Sequence, residues 1–165
     1  MTTKPVINIA DVPLQEAGNG EAFQAKVGSL GRSIGLTGLG VMLHVVEPGQ
    51  KAFPRHNHHQ VHEMFVILEG EGMYRFGGDS FPVKAGDVCA APTGGPETAH
   101  QIVNTGTATL KYLGISTMAD TEVVEYPDSG KVGVVSRFDW ATMSGGVRHM
   151  FRKSDKAIGY HEGET

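Results

Sequence analysis

The segment Arg55-His56-Asn57-His58-His59-Gln60-Val61-His62-Glu63 decides the fold of this chain. Side chains on an extended strand alternate between its two faces, so His56 and His58 point the same way. The residues His59 to His62 read as a short turn that reverses the chain and brings Glu63 beside them. On the strand that follows, Glu63, Phe65 and Ile67 share a face, which directs the carboxylate to the side of an apolar interior. Two imidazoles and one carboxylate form a mixed nitrogen and oxygen set that suits a divalent transition metal. Four histidines in seven positions also fit a solvated polar loop or an adventitious chelator. The carboxylate at the head of a predicted strand argues for the metal.

Outward from this segment the chain reads as many short strands separated by Gly, Pro and Asp turn signals, with 23 glycines in all. Upstream, Val41 to Val46 is a strand closed by Pro48-Gly49, and Lys51 to His58 reads as the next. Downstream, Glu63 to Leu68 is expected to form a hairpin with Gly72 to Phe76 across Glu69-Gly70-Glu71, placing Tyr74 and Phe76 on the Glu63 face. Ser80 to Val83, Val88 to Ala91, His100 to Asn104 and Thr109 to Ser116 follow as strands. His100 begins its strand after the loop containing Gly94-Gly95-Pro96, and barrel closure can bring it onto the other three candidate ligands. Ser29 to Gly40 is expected as an irregular strand and Leu14 to Lys26 as a possible helical turn weakened by Gly18 and Gly20. In the tail, Val123-Val124 and Val132 to Val135 read as strand pieces, and Trp140 to Met143 as a short helix. Strands at this spacing predict an all-β barrel or sandwich.

The bulk numbers exclude several classes. The net charge of 14 − 18 = −4 argues against a nucleic-acid partner, which needs a basic surface. The longest purely apolar stretch, Met64 to Leu68, is far too short to cross a bilayer, and no membrane partner is expected. The single cysteine, Cys89, and an N-terminus without a signal-peptide pattern lead to the expectation of a cytoplasmic protein.

Two spaced motifs carry a family resemblance. The first is Gly49, six residues, His56-x-His58, four residues, Glu63, six residues, Gly70. The second is Gly86, five residues, Pro92-x-Gly94, five residues, His100, three residues, Asn104. Together they resemble the two motifs of the cupin superfamily, with one extra residue after the first glycine and a longer loop before His100. The resemblance spans about a third of the chain. It implies a cupin double-stranded β-helix, a jelly-roll barrel, usually a homodimer, with a metal on His56, His58, Glu63 and His100. Residues 1–165 are then expected to be a single cupin domain, with the barrel at about 41–118, an N-terminal arm at 1–28 and a C-terminal extension at 120–165. The cofactor is expected to be one divalent transition metal, Zn, Fe, Mn or Ni. Tyr126-Pro127-Asp128 and the terminal Gly159-Tyr160-His161-Glu162-Gly163-Glu164 add a likeness to small bacterial cupins labelled sugar-phosphate isomerase-like.

Four protein ligands leave up to two open positions on a six-coordinate ion, which a substrate with adjacent oxygens can fill. The first expectation is a sugar or sugar-phosphate isomerase working through a metal-stabilised enediolate, with a small polar metabolite as substrate. His62 and Tyr74 are the candidate catalytic residues; a rim position for His62 and a core position for Tyr74 are the alternatives. A dioxygenase or decarboxylase of a small organic acid, and a non-catalytic small-anion binding protein, are the other readings. His59 is expected at the rim or surface. Arg55 is expected to point away from the metal, His44 to be a core or supporting histidine, and the Gly94 loop to offer N–H groups to an anion.

Overall fold

A computed structural model describes residues 4–139 and 144–164, so the helix expected at Trp140 to Met143 lies outside the described residues. Among the described residues the regular structure is nearly all antiparallel strand, in three sheets. β1 (Gln15–Asn19), β2 (Phe23–Ser29), β3 (Leu39–Val46), β10 (Leu110–Thr117), β5 (Glu63–Glu69) and β8 (Val88–Ala91) form the first, in that spatial order. β7 (Asp79–Lys84), β6 (Glu71–Phe76) and β9 (His100–Val103) form the second. β13 (Val147–Arg152), β12 (Lys131–Ser136), β11 (Thr121–Tyr126) and the two-residue β4 (Asn57–His58) form the third. This is the expected all-β jelly-roll, although its ladders do not close into one continuous barrel among the described residues.

The core follows from strand alternation. Along β5, Phe65 and Ile67 are buried and Met64 is exposed, so the period of two places Glu63 on the inner face as read from the sequence. Phe65 and Ile67 pack with Val46, Tyr74, Ile102, Leu110 and Tyr112 in the main cluster. Asn104 is fully buried and ties the start of the β9 to β10 turn, donating to the carbonyls of Val46 and Ala108 at 2.8 and 2.9 Å.

Several local expectations are corrected. The predicted β5–β6 hairpin is a corner: β5 pairs with β10 and β8, whereas β6 pairs with β7 and β9. Gly70 makes the corner with φ at 79°, and a Cβ there would meet the Thr109 carbonyl oxygen at 2.6 Å. The strand predicted over Lys51 to His58 is reduced to β4 and isolated bridges, because Pro54 has no N–H to give a ladder. Leu14 to Lys26 forms the β1–β2 hairpin instead of a helical turn, with Gly18 and Gly20 at positive φ. The irregular strand expected over Ser29 to Gly40 is instead the last residue of β2, a single helical turn, α1 (Leu30–Ser33), a loop and the first two residues of β3. No helix of the described residues is long and apolar enough to cross a membrane.

Candidate metal centre

Three strands and the residue two before His58 deliver one ligand each to the same point. His58 comes from β4, Glu63 from the first residue of β5, and His100 from the first residue of β9. His56 precedes β4 and is fixed by a reciprocal bridge to His100, with N–O distances of 3.1 and 2.8 Å. The ligand atoms of His56, His58, Glu63 and His100 all lie within 4.8 Å of one another. Nε2 of His100, His58 and His56 stand 3.0, 3.4 and 3.8 Å from the same oxygen, Oε2 of Glu63. Ligands bonded at about 2.0–2.1 Å to one ion are separated from each other by about 3.0–3.4 Å, so the cluster is near the size of a coordination shell.

The surrounding hydrogen bonds orient the rings. Nδ1 of His56 lies 2.8 Å from the Pro54 carbonyl and Nδ1 of His100 lies 3.2 Å from the Thr98 carbonyl. A carbonyl only accepts, so a proton on each Nδ1 would leave each Nε2 lone pair free to face a cation; without a cation, Nε2 of His100 is within donating distance of Glu63, at 3.0 Å. His58 differs. Its ring is held between two carboxylates, Glu63 at 3.4 Å from Nε2 and Glu122 at 3.5 Å from Nδ1, and neither buried nitrogen completes a well-formed hydrogen bond. A buried imidazole without a good partner, beside a carboxylate and two further imidazole nitrogens, fits a cation.

The electrostatics agree. Burial, with the neighbouring rings of His100 and His58, lowers the pKa of His56 to about 4, so it is neutral and able to ligate. Burial opposes ionisation of Glu63, but the hydrogen bond from His100 and the contact with His58 outweigh it and hold the carboxyl well below its ordinary range. Burial likewise opposes charge on His58, yet Glu122 and Glu63 prevail and raise it to about 9 in the metal-free protein. The metal-free cluster thus keeps a proton on His58 where a cation would otherwise sit.

Glu122 is the residue that sequence reasoning missed. Its Oε1 accepts the N–H groups of His59 and Gln60 at 3.0 and 3.1 Å, and its Oε2 accepts that of Val61 at 2.7 Å. One carboxylate from β11 therefore fixes the turn between His58 and Glu63. The strand piece read at Val123-Val124 gave no hint of this, because the partners of Glu122 are backbone groups remote in sequence.

The other candidates separate. His62 is exposed, its backbone N–H held by Thr117 Oγ1 at 2.9 Å. Tyr74 is 5% exposed and donates its hydroxyl to the Ala90 carbonyl at 2.8 Å. His59 turns outward to Glu125 at 3.0 Å. Arg55 points away from the cluster to Asp128 at 3.1 Å. The expectation that the Gly94 loop offers N–H groups to an anion is corrected: the N–H of Gly94 goes to the His58 carbonyl at 2.9 Å and that of Gly95 to Glu97 at 2.7 Å. The loop instead braces β4, helped by Asn57 Nδ2 on the Gly94 carbonyl at 2.9 Å.

Two cavities reach the cluster. One, of about 410 Å³, runs into the interior of the first sheet past His44, Phe65 and Tyr112. The other, of about 480 Å³, lies against the third sheet beside Val61, Tyr126, Arg148 and His149. His56, His58, Glu63, Ser116 and Met118 border both.

Comparison with known proteins places this architecture. Residues 42–116 match the cupin domain family. An oxalate-binding protein of Thermotoga maritima is 40% identical over 60 residues, 36% of this chain and 47% of that protein, so the match spans about half of the relative's length. A solved structure from Acidithiobacillus ferrooxidans, provisionally named a sugar phosphate isomerase, superposes with a TM-score of 0.80 at 26% identity over 96% of this chain and 98% of that one. A second, named a sugar phosphate isomerase from a cupin superfamily, from Silicibacter pomeroyi, gives a TM-score of 0.76 at 25% identity over 94% and 98%.

Proposed function

Since residues 42–116 of this chain form a cupin domain, we propose that the protein is a metal-dependent isomerase of a small hydroxy-carbonyl metabolite, a sugar or sugar phosphate. His56, His58, Glu63 and His100 would hold one divalent transition metal. The observation that carries this reading is the convergence of three imidazole Nε2 atoms on Oε2 of Glu63, at 3.0, 3.4 and 3.8 Å, at a point open to two cavities. A divalent ion there would act as a Lewis acid, polarising a carbonyl and stabilising the negative charge that develops when a neighbouring C–H loses its proton.

The chain's own residues serve that chemistry by exclusion and orientation. His100 is 1% exposed, which keeps bulk water from one side of the cluster and strengthens electrostatic interactions within it. The Pro54 and Thr98 carbonyls orient the rings of His56 and His100, and Glu122 locks the turn that presents Glu63. Each cavity falls in the size range of small-molecule sites. The likeness to two proteins named as sugar phosphate isomerases, over almost the whole of each chain, supports the reaction class.

The test is isomerisation in D2O by the metal-loaded protein, followed by NMR with aldose and ketose phosphates. Interconversion with solvent deuterium entering beside the carbonyl is expected, and H58A should lose both the metal and the activity. Iron or copper in untagged protein together with oxygen uptake on a small organic acid would overturn it. That second reading, oxidation or decarboxylation of a small acid, is favoured by the likeness to a Thermotoga maritima structure named a predicted oxalate decarboxylase, with a TM-score of 0.60 at 25% identity over 69% of this chain and 99% of that one.

A further inference from the structure

The inner cavity holds polar groups that the metal cluster does not use. Its walls are largely apolar, with Val41, Met42, Phe53, Phe65 and Ile102 among them. Against that background stands His44 of β3, which is 4% exposed, lies parallel to the Tyr112 ring at 4.5 Å, and has a buried Nδ1 with no hydrogen-bond partner. The carbonyls of Met42 and Tyr112 lie near this ring without closing a hydrogen bond on Nδ1. Leaving a buried polar group unpaired is costly, and a bound molecule can recover that cost. Burial, partly offset by the charge of Glu63, lowers the pKa of His44 to about 4. At neutral pH the ring therefore has one N–H and one lone pair, and can serve a hydroxyl or a carbonyl.

Two further features point to a ligand of defined chemistry. Arg32 of α1 is exposed where it borders the cavity, and it is the one Lys or Arg among the residues lining it. Exposure of Arg32 and burial of His44 and His100 give the cavity a cationic mouth and a metal-binding interior. Gly114 of β10 lies against the His44 ring: a Cβ there would meet Cε1 of His44 at 2.9 Å and Cε1 of Phe65 at 3.5 Å. Only a glycine lets the imidazole keep this place.

We propose that His44 and Arg32 are ligand-contacting residues of the inner cavity, which takes a small metabolite bearing an oxyanion group at one end and adjacent oxygens at the other. The adjacent oxygens face the His56, His58, Glu63 and His100 cluster and hydrogen-bond to His44; the oxyanion group lies toward Arg32. This rests on the metal centre proposed above and not on isomerisation.

The experiment is calorimetric titration of the metal-loaded, full-length protein with two probes, oxalate and dihydroxyacetone phosphate. These distinguish a carboxylate from a phosphate as the anionic group. R32Q is expected to weaken the tighter probe at least tenfold, in keeping with loss of a charge-assisted contact. H44F is expected to weaken it at least fivefold with metal content unchanged. G114A, which displaces the same ring, should act in the same direction and covers the case in which H44F fails to fold. R148Q, in the other cavity, should change affinity less than twofold. Loss of affinity in R148Q with R32Q unaffected would overturn the proposal, as would unchanged binding in both His44-directed variants or failure of both probes to bind. Binding with this pattern but without isomerisation would leave the proposal standing and overturn the isomerase reading.

Discussion

Nδ1 of His58 stands 3.5 Å from Oε2 of Glu122 while Nε2 of the same ring faces Glu63 at 3.4 Å. The ring is thus oriented by a carboxylate outside the ligand set, and that carboxylate also receives the N–H groups of His59, Gln60 and Val61. Removing its charge should loosen both the ring and the turn. For E122Q, metal affinity is expected to fall about 10–100-fold, the usual effect of losing an orienting partner. Competition with a chromophoric chelator measures it, and an affinity equal to wild type would refute the positioning role.

The metal-free protein should lose stability as the solution becomes alkaline. The pKa of His58 is raised from its ordinary 6.5 to about 9 in the folded chain. A raised folded value means that the charged ring stabilises the fold fully below about 6.5, and that this stabilisation fades as pH climbs through about 9. The carboxylates act in the opposite sense: Glu63 and Glu122 are both depressed, so their contribution is present above the ordinary 4.5 and is lost as pH falls. Urea midpoints of the metal-free protein should therefore drop from pH 6.5 to pH 9. The metal-loaded protein should lack this part of the decline, because ligation replaces the His58 proton. Equal slopes for both forms would contradict the assignment.

Tyr74 offers a way to separate packing from chemistry. Its hydroxyl donates to the Ala90 carbonyl at 2.8 Å, and its ring packs 6.1 Å from that of Phe65. Y74F should cost about 1 kcal/mol in stability, seen as a lower urea midpoint, while metal content and turnover stay at wild-type values. A large fall in kcat with normal stability would return Tyr74 to the reacting centre.

What the sequence made legible was local. The shared face of Glu63, Phe65 and Ile67 follows from a period of two that needs no distant partner, and β8 spans Val88–Ala91 as read. The pairing of His56 with His58 was legible for the same reason, although Pro54 leaves them on a bridge and a two-residue strand and not on a long one. The corner at Gly70 was not legible, since a glycine turn suits a hairpin equally well. What decides between them is the close approach of the Thr109 carbonyl from across the fold. Glu122 was hidden more deeply, because nothing in Thr121 to Tyr126 records that three N–H groups of a distant turn lack partners until β11 arrives.

β4 has only two residues, and its ladder partner is β11, through Val124 opposite His58 and Glu125 opposite Asn57. The region that matches the cupin family ends at residue 116, before that partner begins. The boundary recognised by kinship therefore separates the four candidate ligands from the strand that holds two of them in place. Trimming the chain to its recognisable part would keep all four candidate ligands but remove the strand and the carboxylate that brace two of them.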